Sequence, residues 1–259
     1  MKTPLIYIGK KDYLYEYIKD ILDKYINKKG YTFVELFSGS GAISFLSEFK
    51  KVILNDKNYY VYLLLDTFKK GIDIFKYLDN IEIDKKTYYD MRNKLNQLIK
   101  SNKIETNEGR ALLYYINRIG FKGFIRTNKS NLINTPYGYR KKLIKYDVNK
   151  VKEIMREWKI FNLNYKDVPI KDNYIIYVDP PYYKTNGFYK NEFGDINATK
   201  DVINYVSTLN NPVIYSNHYN DEIKQYLINK GFEIKVIDKK YRFYNYQNKE
   251  ILAFNKYLM

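Results

Sequence analysis

Four consecutive residues, Asp179-Pro180-Pro181-Tyr182, combine groups that could hold a planar base bearing an exocyclic amine. They follow the apolar run Tyr174 to Val178, whose pattern predicts a buried strand. Two prolines fix the backbone, so a carboxylate, a carbonyl oxygen and an aromatic ring can face one point. The amine would donate to the Asp179 carboxylate and to the Pro180 carbonyl oxygen, while the Tyr182 ring stacks on the base. A plain strand-ending turn is the alternative, because Asp and Pro are ordinary turn residues.

A glycine-containing segment earlier in the chain is typical of a cofactor-binding loop. Phe33 to Phe37 predicts a strand, Ser38 to Gly41 a tight loop and Ala42 to Phe49 a helix. Backbone N–H groups at the start of such a helix attract a ligand, and the two glycines let that ligand approach closely. A dinucleotide-binding fingerprint needs a third glycine where Ser44 stands, so the pattern disfavours a nicotinamide-dependent oxidoreductase.

Two further segments offer ligand contacts. Asp56 ends the predicted strand Val52 to Asp56, where its carboxylate could accept hydrogen bonds from both hydroxyls of a ribose. The alternative role of Asp56 is a helix N-cap. Tyr7 to Lys11 predicts a glycine turn with an aromatic residue before it and lysines after it, and the alternative there is a solvated basic turn.

Composition limits the classes of protein that the chain can represent. Its 259 residues, 45% of them apolar, are enough for one large domain or for a core with a smaller module. The sequence has no uninterrupted apolar run of about 18 residues and no apolar leader, so we expect a cytoplasmic protein without membrane contact. With no cysteine and one histidine, the sequence predicts no metal centre. We expect that histidine, His218, to be a loop residue after a strand rather than a catalytic base.

The net charge of +16 favours a polyanionic partner, and nucleic acid is the commonest one. A genome rich in A and T would also enrich Lys, Asn, Ile and Tyr through codon usage. The charge is therefore supporting evidence for a nucleic-acid partner and does not identify one alone.

The order of predicted elements indicates an α/β domain that is split by an insertion. Residues 1–58 and 159–259 carry strand and helix signals that predict the catalytic domain. Residues 59–158 carry helical and loop signals rich in Lys, Asn and Tyr, which predict a mainly helical inserted module. The remaining predicted strands are Pro212 to Ser216, Phe232 to Asp238 and Glu250 to Phe254, and the remaining predicted helices are Asp12 to Tyr25, Thr199 to Leu209 and Asp221 to Asn229.

Four segments of the chain resemble, in type and order, those of Dam-type (D12 class, α-group) DNA adenine-N6 methyltransferases. They are Tyr7 to Lys11, Phe33 to Gly41, Asn117 to Tyr139 and Asp179 to Tyr182. The resemblance implies a Rossmann-like S-adenosylmethionine-dependent methyltransferase sheet with an inserted, mainly helical target-recognition domain. It also implies methyl transfer from S-adenosylmethionine to N6 of a flipped-out adenine in double-stranded DNA, with a GATC-like site as the family's commonest target.

The resemblance also implies a role for each matching residue. Contacts to S-adenosylmethionine would come from Tyr7, Lys11, Phe37, Gly39, Gly41, Asp56, Tyr165, Asp167 and Asp179. The catalytic residues would be Asp179, Pro180 and Tyr182. Contacts to DNA would come from Lys122, Phe124, Arg126, Asn128, Pro136 and Arg140, with Lys129, Lys141 and Lys142 as further phosphate contacts.

Arg126 is the residue that we expect to recognise sequence, because a guanidinium can donate two hydrogen bonds to O6 and N7 of guanine. A phosphate contact is its alternative role. Phe124 and Pro136 match family positions that lie against the target bases. Lys122 departs from the family, in which a small polar residue near the displaced base is common.

Other functions remain open at this point. Amino methylation of RNA adenine or of a protein glutamine uses similar chemistry, although glutamine-directed relatives usually have Asn where Asp179 stands. A DNA-binding protein with a decayed catalytic site is a second alternative, which the intact Gly39, Gly41 and Asp56 disfavour. The recognition sequence and a separate restriction endonuclease partner are also open, and we expect a monomer or a weak dimer.

Overall fold

A computed structural model describes residues 1–7, 9, 11–26, 30–181, 195–239 and 248–258, so Tyr182 lies outside the described residues. The strands are β1 (Thr32–Glu35), β2 (Val52–Asn55), β3 (Lys159–Phe161), β4 (Tyr174–Val178), β5 (Val213–His218), β6 (Glu233–Lys239) and β7 (Asn248–Phe254). The α-helices are α1 (Tyr15–Ile26), α2 (Ala42–Leu46), α3 (Tyr59–Lys70), α4 (Lys85–Lys100), α5 (Asn107–Ile119), α6 (Val148–Ile154), α7 (Ile196–Ser207) and α8 (Asp221–Asn229). Short 3-10 helices cover Asp12–Leu14, Phe75–Tyr77, Phe121–Gly123, Tyr165–Asp167 and Lys256–Leu258.

The strands form one sheet in the order β3-β2-β1-β4-β5-β7-β6. The first five strands of this order pair in parallel, whereas β7 is antiparallel to both β5 and β6. Strand order reverses between β1 and β4, and ligands of open α/β sheets bind outside the carboxyl ends of the strands at such a switch point. The α/β fold class expected from the sequence, with a Rossmann-like sheet, is confirmed.

The central strands are apolar because both faces of the sheet are covered. Every residue of β1, β2 and β4 is buried. Since side chains alternate along a strand, Phe33 packs on one face with α1, α3 and α5, while Val34 packs on the other with α7 and α8. Continuous apolar runs such as Tyr174 to Val178 are the sequence pattern of a parallel strand buried on both faces.

Helices between β2 and β3 share a hydrophobic core with one face of the sheet. Phe33 and Leu54 of the sheet belong to the same buried cluster as Leu64 on α3, Leu113 on α5 and Ile133 farther along the chain. Helix α3 starts at the N-cap Asn58, and α5 starts at the N-cap Thr106. The boundaries of a separate module at 59–158 stay a prediction.

Several predicted boundaries differ from the structure. Helix α2 ends at Leu46 instead of Phe49, because Ser47 adopts an extended backbone and its hydroxyl donates to the Ser44 carbonyl oxygen. The first three residues of the predicted helix Asp12 to Tyr25 form a 3-10 turn, and α1 follows it. His218 is the exposed last residue of β5, so its placement in a loop was wrong; it pairs with Glu250 across the sheet. Strand β3 was not predicted, since three residues give little periodicity.

The shared core predicts that the sheet and the helices between β2 and β3 unfold together. Leu64→Ala removes a fully buried side chain from this core, and we expect a loss of about 2–5 kcal/mol in the free energy of unfolding. Urea denaturation followed by circular dichroism and by fluorescence of Trp158, which is buried against Phe45, should show one coincident transition. Two separated transitions, of which only one responds to the substitution, would show that 59–158 is an independent unit.

Candidate active site

The carboxyl ends of three adjacent parallel strands bring together the residues that the sequence singled out. Phe37 follows β1, Asp56 follows β2 and Asp179 follows β4. In the register of the sheet, Glu35 lies between Leu54 of β2 and Tyr177 of β4, so the three loops leave the sheet side by side. The glycine segment and Asp179 therefore lie next to each other, as the topology requires.

The glycine loop is held by the carboxylate of Asp56. Gly39 N donates to Asp56 Oδ2 at 2.8 Å, and Asn58 N donates to Oδ1 at 2.8 Å. Burial raises the pKa of Asp56 to about 6, while these two backbone donors oppose the shift. The N-cap of α3 is Asn58, so the alternative of a helix cap does not describe Asp56. Each carboxylate oxygen keeps a further lone pair with which a ribose hydroxyl could bond.

Both the backbone conformation at position 39 and the lack of space for a side chain require glycine there. Its φ is +48°, and a Cβ there would lie 2.7 Å from the ring of Tyr7. The Tyr7 ring thus packs directly on the glycine loop, which joins the N-terminal segment to the loop after β1. Gly41, with a φ of +67°, closes the loop by donating its N–H to the Ser38 carbonyl oxygen at 2.7 Å.

A buried amide holds the N-terminal segment in this position. Asn117 on α5 has no exposed surface, and its side chain accepts from Ile6 N at 3.1 Å and donates to Ile6 O at 2.7 Å. The same amide donates to Gly123 O at 2.9 Å. Asn117 lies in the family-like block Asn117 to Tyr139, but the sequence assigned it no role. In the structure it fixes Ile6, the residue before Tyr7.

Asp179 lies in a cluster of buried polar groups. Ser216 Oγ donates to Asp179 Oδ1 at 3.0 Å, and Lys11 Nζ lies 3.7 Å from the same oxygen. Lys11 also pairs with Glu250 on β7 at 3.3 Å and is only 5% exposed, so it is not part of a solvated basic turn. Burial raises the pKa of Asp179 to about 6, with Lys11 lowering it and Glu250 raising it.

The residues expected near the cofactor's adenine lie beside the glycine loop. The rings of Phe37 and Tyr165 are 5.2 Å apart, and the Tyr165 hydroxyl donates to Asp201 at 2.7 Å. Asp167 is exposed at the end of the same 3-10 turn. Pro180 and Pro181 follow Asp179 directly, whereas the predicted stacking residue Tyr182 lies outside the described part of the chain.

Sequence reasoning missed four polar residues of this site. Ser38 Oγ is buried in the glycine loop with no hydrogen-bond partner among the residues that the structure describes. Tyr177, Ser216 and Glu250 surround Asp179 but lie on three different strands. The sequence offered one signal: Ser216 ends the predicted apolar strand Pro212 to Ser216. In the structure this strand, β5, pairs with β4.

A hairpin-like segment carries the residues expected to contact DNA. Isolated bridges join Gly120 to Tyr137 and Thr127 to Ile133. Helix α4 holds this segment: Asn96 exchanges hydrogen bonds with the backbone N–H and carbonyl of Ile133, at 2.8 and 3.0 Å. Arg92 on the same helix donates to the carbonyl oxygen of Thr135 at 2.9 Å.

Arg126 and Asn134 lie opposite each other in this segment. Arg126 Nε donates to Asn134 Oδ1 at 2.9 Å, and Nη2 approaches Asn134 O at 3.4 Å. Phe124 is largely buried and exposes 9% of its surface. The Oδ1 atom of Asn128 accepts from the backbone N–H groups of Ser130 and Leu132, so this side chain shapes the turn.

The other candidate DNA contacts lie near the Gly120–Tyr137 bridge and along the following chain. Lys122 has a φ of +53°, and its ammonium lies 5.2 Å from the ring centre of Phe121, which is 40% exposed. Pro136 O accepts from Phe121 N at 2.8 Å. Lys129, Arg140, Lys141 and Lys142 are also exposed.

Comparison with known proteins identifies the family. The model of the D12 class N6 adenine-specific DNA methyltransferases matches residues 7–243. The chain belongs to this family. It is therefore an adenine-specific DNA methyltransferase by class, and the methyl donor of this class is S-adenosylmethionine.

Individual relatives are distant. The Type II methyltransferase M.MjaIII of Methanocaldococcus jannaschii is 28% identical over 208 residues, which cover 72% of this chain and 71% of the relative. The Type II methyltransferase M.FokI of Planomicrobium okeanokoites is 27% identical, and the match covers 96% of this chain but 40% of that protein. The DNA adenine methylase of Haemophilus influenzae is 28% identical over 68% of this chain and 66% of its own length.

The described helices include none that combines the length and the apolar character needed to cross a bilayer. Within the same part of the chain, no cluster of three or more His, Cys, Asp or Glu side chains could hold a metal ion.

The contact between Gly39 and Tyr7 predicts a specific loss of cofactor affinity. In Gly39→Ala the new methyl group would displace the Tyr7 ring, and we expect S-adenosylmethionine to bind about tenfold more weakly or worse, measured by titration calorimetry. Gly231→Ala is the matched control, because Gly231 has a φ of +81° but nothing within 4 Å of a Cβ. Both variants should lose about 1–2 kcal/mol of stability from backbone strain. Equal affinity in the two variants would contradict a cofactor site at Gly39.

Proposed function

We propose that the protein transfers a methyl group from S-adenosylmethionine to N6 of a flipped-out adenine in double-stranded DNA. The observation that carries this proposal is the position of Asp179 beside the glycine loop, at the carboxyl ends of adjacent strands β1 and β4. A methyl donor bound at Gly39 and Asp56 would lie next to a base held by Asp179. We infer a GATC-like target, the commonest site in the family, and a monomer or a weak dimer.

The residues at the glycine loop fit a nucleoside-bearing cofactor. Asp56 offers acceptors for ribose hydroxyls, Phe37 and Tyr165 offer aromatic surface, and Ser38 Oγ is buried without a partner in the described chain. When bound, S-adenosylmethionine supplies a methyl group on a positively charged sulfur, and transfer leaves a neutral thioether. Tyr7, packed on Gly39, closes the site on the side of the N-terminal segment.

Asp179 acts on the target amine. The lone pair of N6 is delocalised into the purine ring, so the amine is a poor nucleophile. Hydrogen bonds from N6 to the Asp179 carboxylate and the Pro180 carbonyl oxygen favour the pyramidal nitrogen and the positive charge that develops during transfer. The amine then loses one proton, which the Asp179 carboxylate accepts, since burial has raised the pKa of this carboxyl to about 6.

We expect the segment between α5 and α6 to contact DNA. A base in a duplex cannot reach Asp179, so the adenine must leave the stack at a cost of a few kcal/mol. Arg126 would contact a guanine, while the exposed Arg140, Lys141 and Lys142 would contact phosphates. Phe121, exposed beside Lys122, would offer an aromatic surface to DNA bases near the Gly120–Tyr137 bridge.

Two of the relatives are named Type II methyltransferases, which favours modification of DNA beside a separate restriction endonuclease. Methylation of RNA adenine or of protein glutamine is the competing activity. The Asp at position 179, with its anionic side chain held between Ser216 and Lys11, supports an aromatic amine over an amide as the acceptor.

The central test is transfer of tritiated methyl groups from S-adenosylmethionine to double-stranded DNA by the purified protein. Label should enter duplex DNA as N6-methyladenine, identified by nucleoside chromatography, and RNA and protein should stay unlabelled. Sequencing of the methylated positions gives the recognition site directly. If label enters only RNA or only protein, that molecule is the methyl acceptor and the proposal of DNA as the substrate is wrong.

Asp179→Ala separates catalysis from DNA binding. We expect methylation to fall below detection, because the variant loses the acceptor for the amine hydrogen, while the affinity for duplex DNA stays nearly unchanged. Rates come from single-turnover labelling and affinities from fluorescence anisotropy. A parallel loss of DNA affinity and of turnover would argue against a role in chemistry.

Arg126→Ala tests the source of sequence specificity. A bidentate contact to guanine predicts a loss of roughly 1–3 kcal/mol of preference at one guanine position, with little change in the salt dependence of binding. Arg140→Ala is the matched control, because an exposed phosphate contact predicts a uniform loss of affinity and a salt slope lower by about one. Binding to single-base variants of the site at two salt concentrations distinguishes the two. A uniform loss in both variants would make Arg126 a phosphate contact.

A further inference from the structure

Behind Asp179 lies a chain of two buried hydroxyl groups. Ser216 Oγ donates to Asp179 Oδ1 at 3.0 Å, and the Tyr177 hydroxyl lies 2.9 Å from Ser216 Oγ. Ser216 has no exposed surface and Tyr177 is 1% exposed. The two residues come from neighbouring strands β5 and β4, so the sheet itself fixes their separation.

The direction of the hydrogen bonds follows from proton counting. An ionised carboxylate can only accept, so Ser216 must use its single proton toward Asp179. The lone pairs of Ser216 Oγ are then the acceptor for the Tyr177 O–H. Burial raises the pKa of Tyr177 well above its usual value, so this hydroxyl keeps its proton and remains a donor.

We propose that Tyr177 and Ser216 are positioning residues that hold Asp179 by its Oδ1 oxygen and keep the carboxylate ionised for the target amine. This inference rests on the proposed methylation of an amine at Asp179. The Ser216 proton is directed at Asp179 Oδ1 and the Tyr177 proton at Ser216 Oγ, so the carboxylate cannot rotate without breaking the bond from Ser216. The other oxygen, Oδ2, is thereby left for the amine.

The bond from Ser216 favours the ionised form of Asp179, whereas other surroundings of the carboxylate favour the protonated form. Burial and the nearby Glu250 both favour the protonated form of Asp179, whereas Lys11 and the bond from Ser216 favour the ionised form. Lys11 is shared with Glu250, which lies closer to it than Asp179 does. Among the residues that the structure describes, Glu35, Tyr13 and Tyr215 are further titratable groups that interact with Tyr177 or Asp179. Ser216 donates directly to Asp179 Oδ1. Among the described residues, no second carboxylate accepts this hydrogen bond.

The variants Ser216→Ala and Tyr177→Phe test this role by the pKa of Asp179. Ser216→Ala removes the direct donor and Tyr177→Phe removes the second hydroxyl while keeping the ring, so the pKa of Asp179 should rise in both and more in the first. Carboxyl carbon NMR of the ligand-free protein measures it, with the Asp179 signal assigned by its loss in Asp179→Asn. This measurement needs neither DNA nor cofactor.

The pH dependence of single-turnover methylation is the second readout. The ionised form of Asp179 is the active one, so a raised pKa moves the acid limb of the rate profile to higher pH. Near pH 6 we expect Ser216→Ala to be slower than the natural protein by about tenfold and Tyr177→Phe by a few-fold, with the difference shrinking as pH rises. Tyr114→Phe is the control, because it removes a buried hydroxyl that donates to Ile144 O at 2.8 Å, far along the chain from Asp179.

The outcomes are distinct. A higher pKa and a shifted acid limb in both variants, but not in Tyr114→Phe, support the positioning role. An unchanged pKa and a superimposable profile, with stability lost in all three variants, would make the hydroxyl chain purely structural and overturn the inference. Absence of DNA methylation by the natural protein would overturn the proposed function, while the NMR titration would still test the contact between Ser216 and Asp179.

Discussion

The amide of Asn117 is the contact on which both halves of the site depend. It is fully buried, and it bonds to both backbone groups of Ile6 and to the carbonyl oxygen of Gly123. The residue after Ile6 is Tyr7, which packs on the glycine loop, and Gly123 belongs to the 3-10 turn beside the Gly120–Tyr137 bridge of the segment expected to contact DNA. Because a buried amide left without partners costs about 1–3 kcal/mol, the two segments are held to helix α5 together. A Cβ on Gly123 would lie 2.4 Å from Ile6, so the backbones also meet directly.

A second constraint is the burial of charge at the carboxyl edge of the sheet. Lys11, Asp179 and Glu250 form a cluster of two carboxylates and one ammonium. An isolated charge would be costly there, so each member depends on the others and on the donor Ser216. Counted over the described residues, these three groups carry one net negative charge when all are ionised. That charge suits a reaction in which a cationic methyl donor meets an amine that becomes positive, because fixed negative groups stabilise the developing charge without rearrangement.

Much of the fold followed from local patterns in the sequence. The run Tyr174 to Val178 coincides with β4, because a strand buried on both faces is apolar throughout and its ends are marked by polar residues and proline. The helix at Asp221–Asn229 coincides with the prediction, since Asn220 caps its first turn. Strand β3 escaped notice because its three residues are stabilised by pairing with β2 and carry no pattern of their own.

The candidate site was predictable only where its residues stand next to each other in the chain. Asp179 and Pro180 form a local motif, as do Gly39 and Gly41. Glu250 is 239 positions from the lysine with which it pairs, and its own neighbours give no sign of that contact. Only the folded chain brings these two positions together, so the topology must be known first. The pairing of Tyr177 with Ser216 likewise depends on the register between β4 and β5.

The guanidinium of Arg126, the proposed guanine contact, is oriented by hydrogen bonds within the protein. A guanidinium has five N–H donors, and Asn134 accepts two of them, which leaves three for a ligand. Asn134 N also donates to Arg126 O, and Asn96 on α4 fixes the neighbouring Ile133, so the arginine is attached to a braced backbone. A lysine could not be held in this way, because its three donors rotate about one point. These contacts order the guanidinium in the folded protein, so its proposed contact with DNA would lose less side-chain entropy.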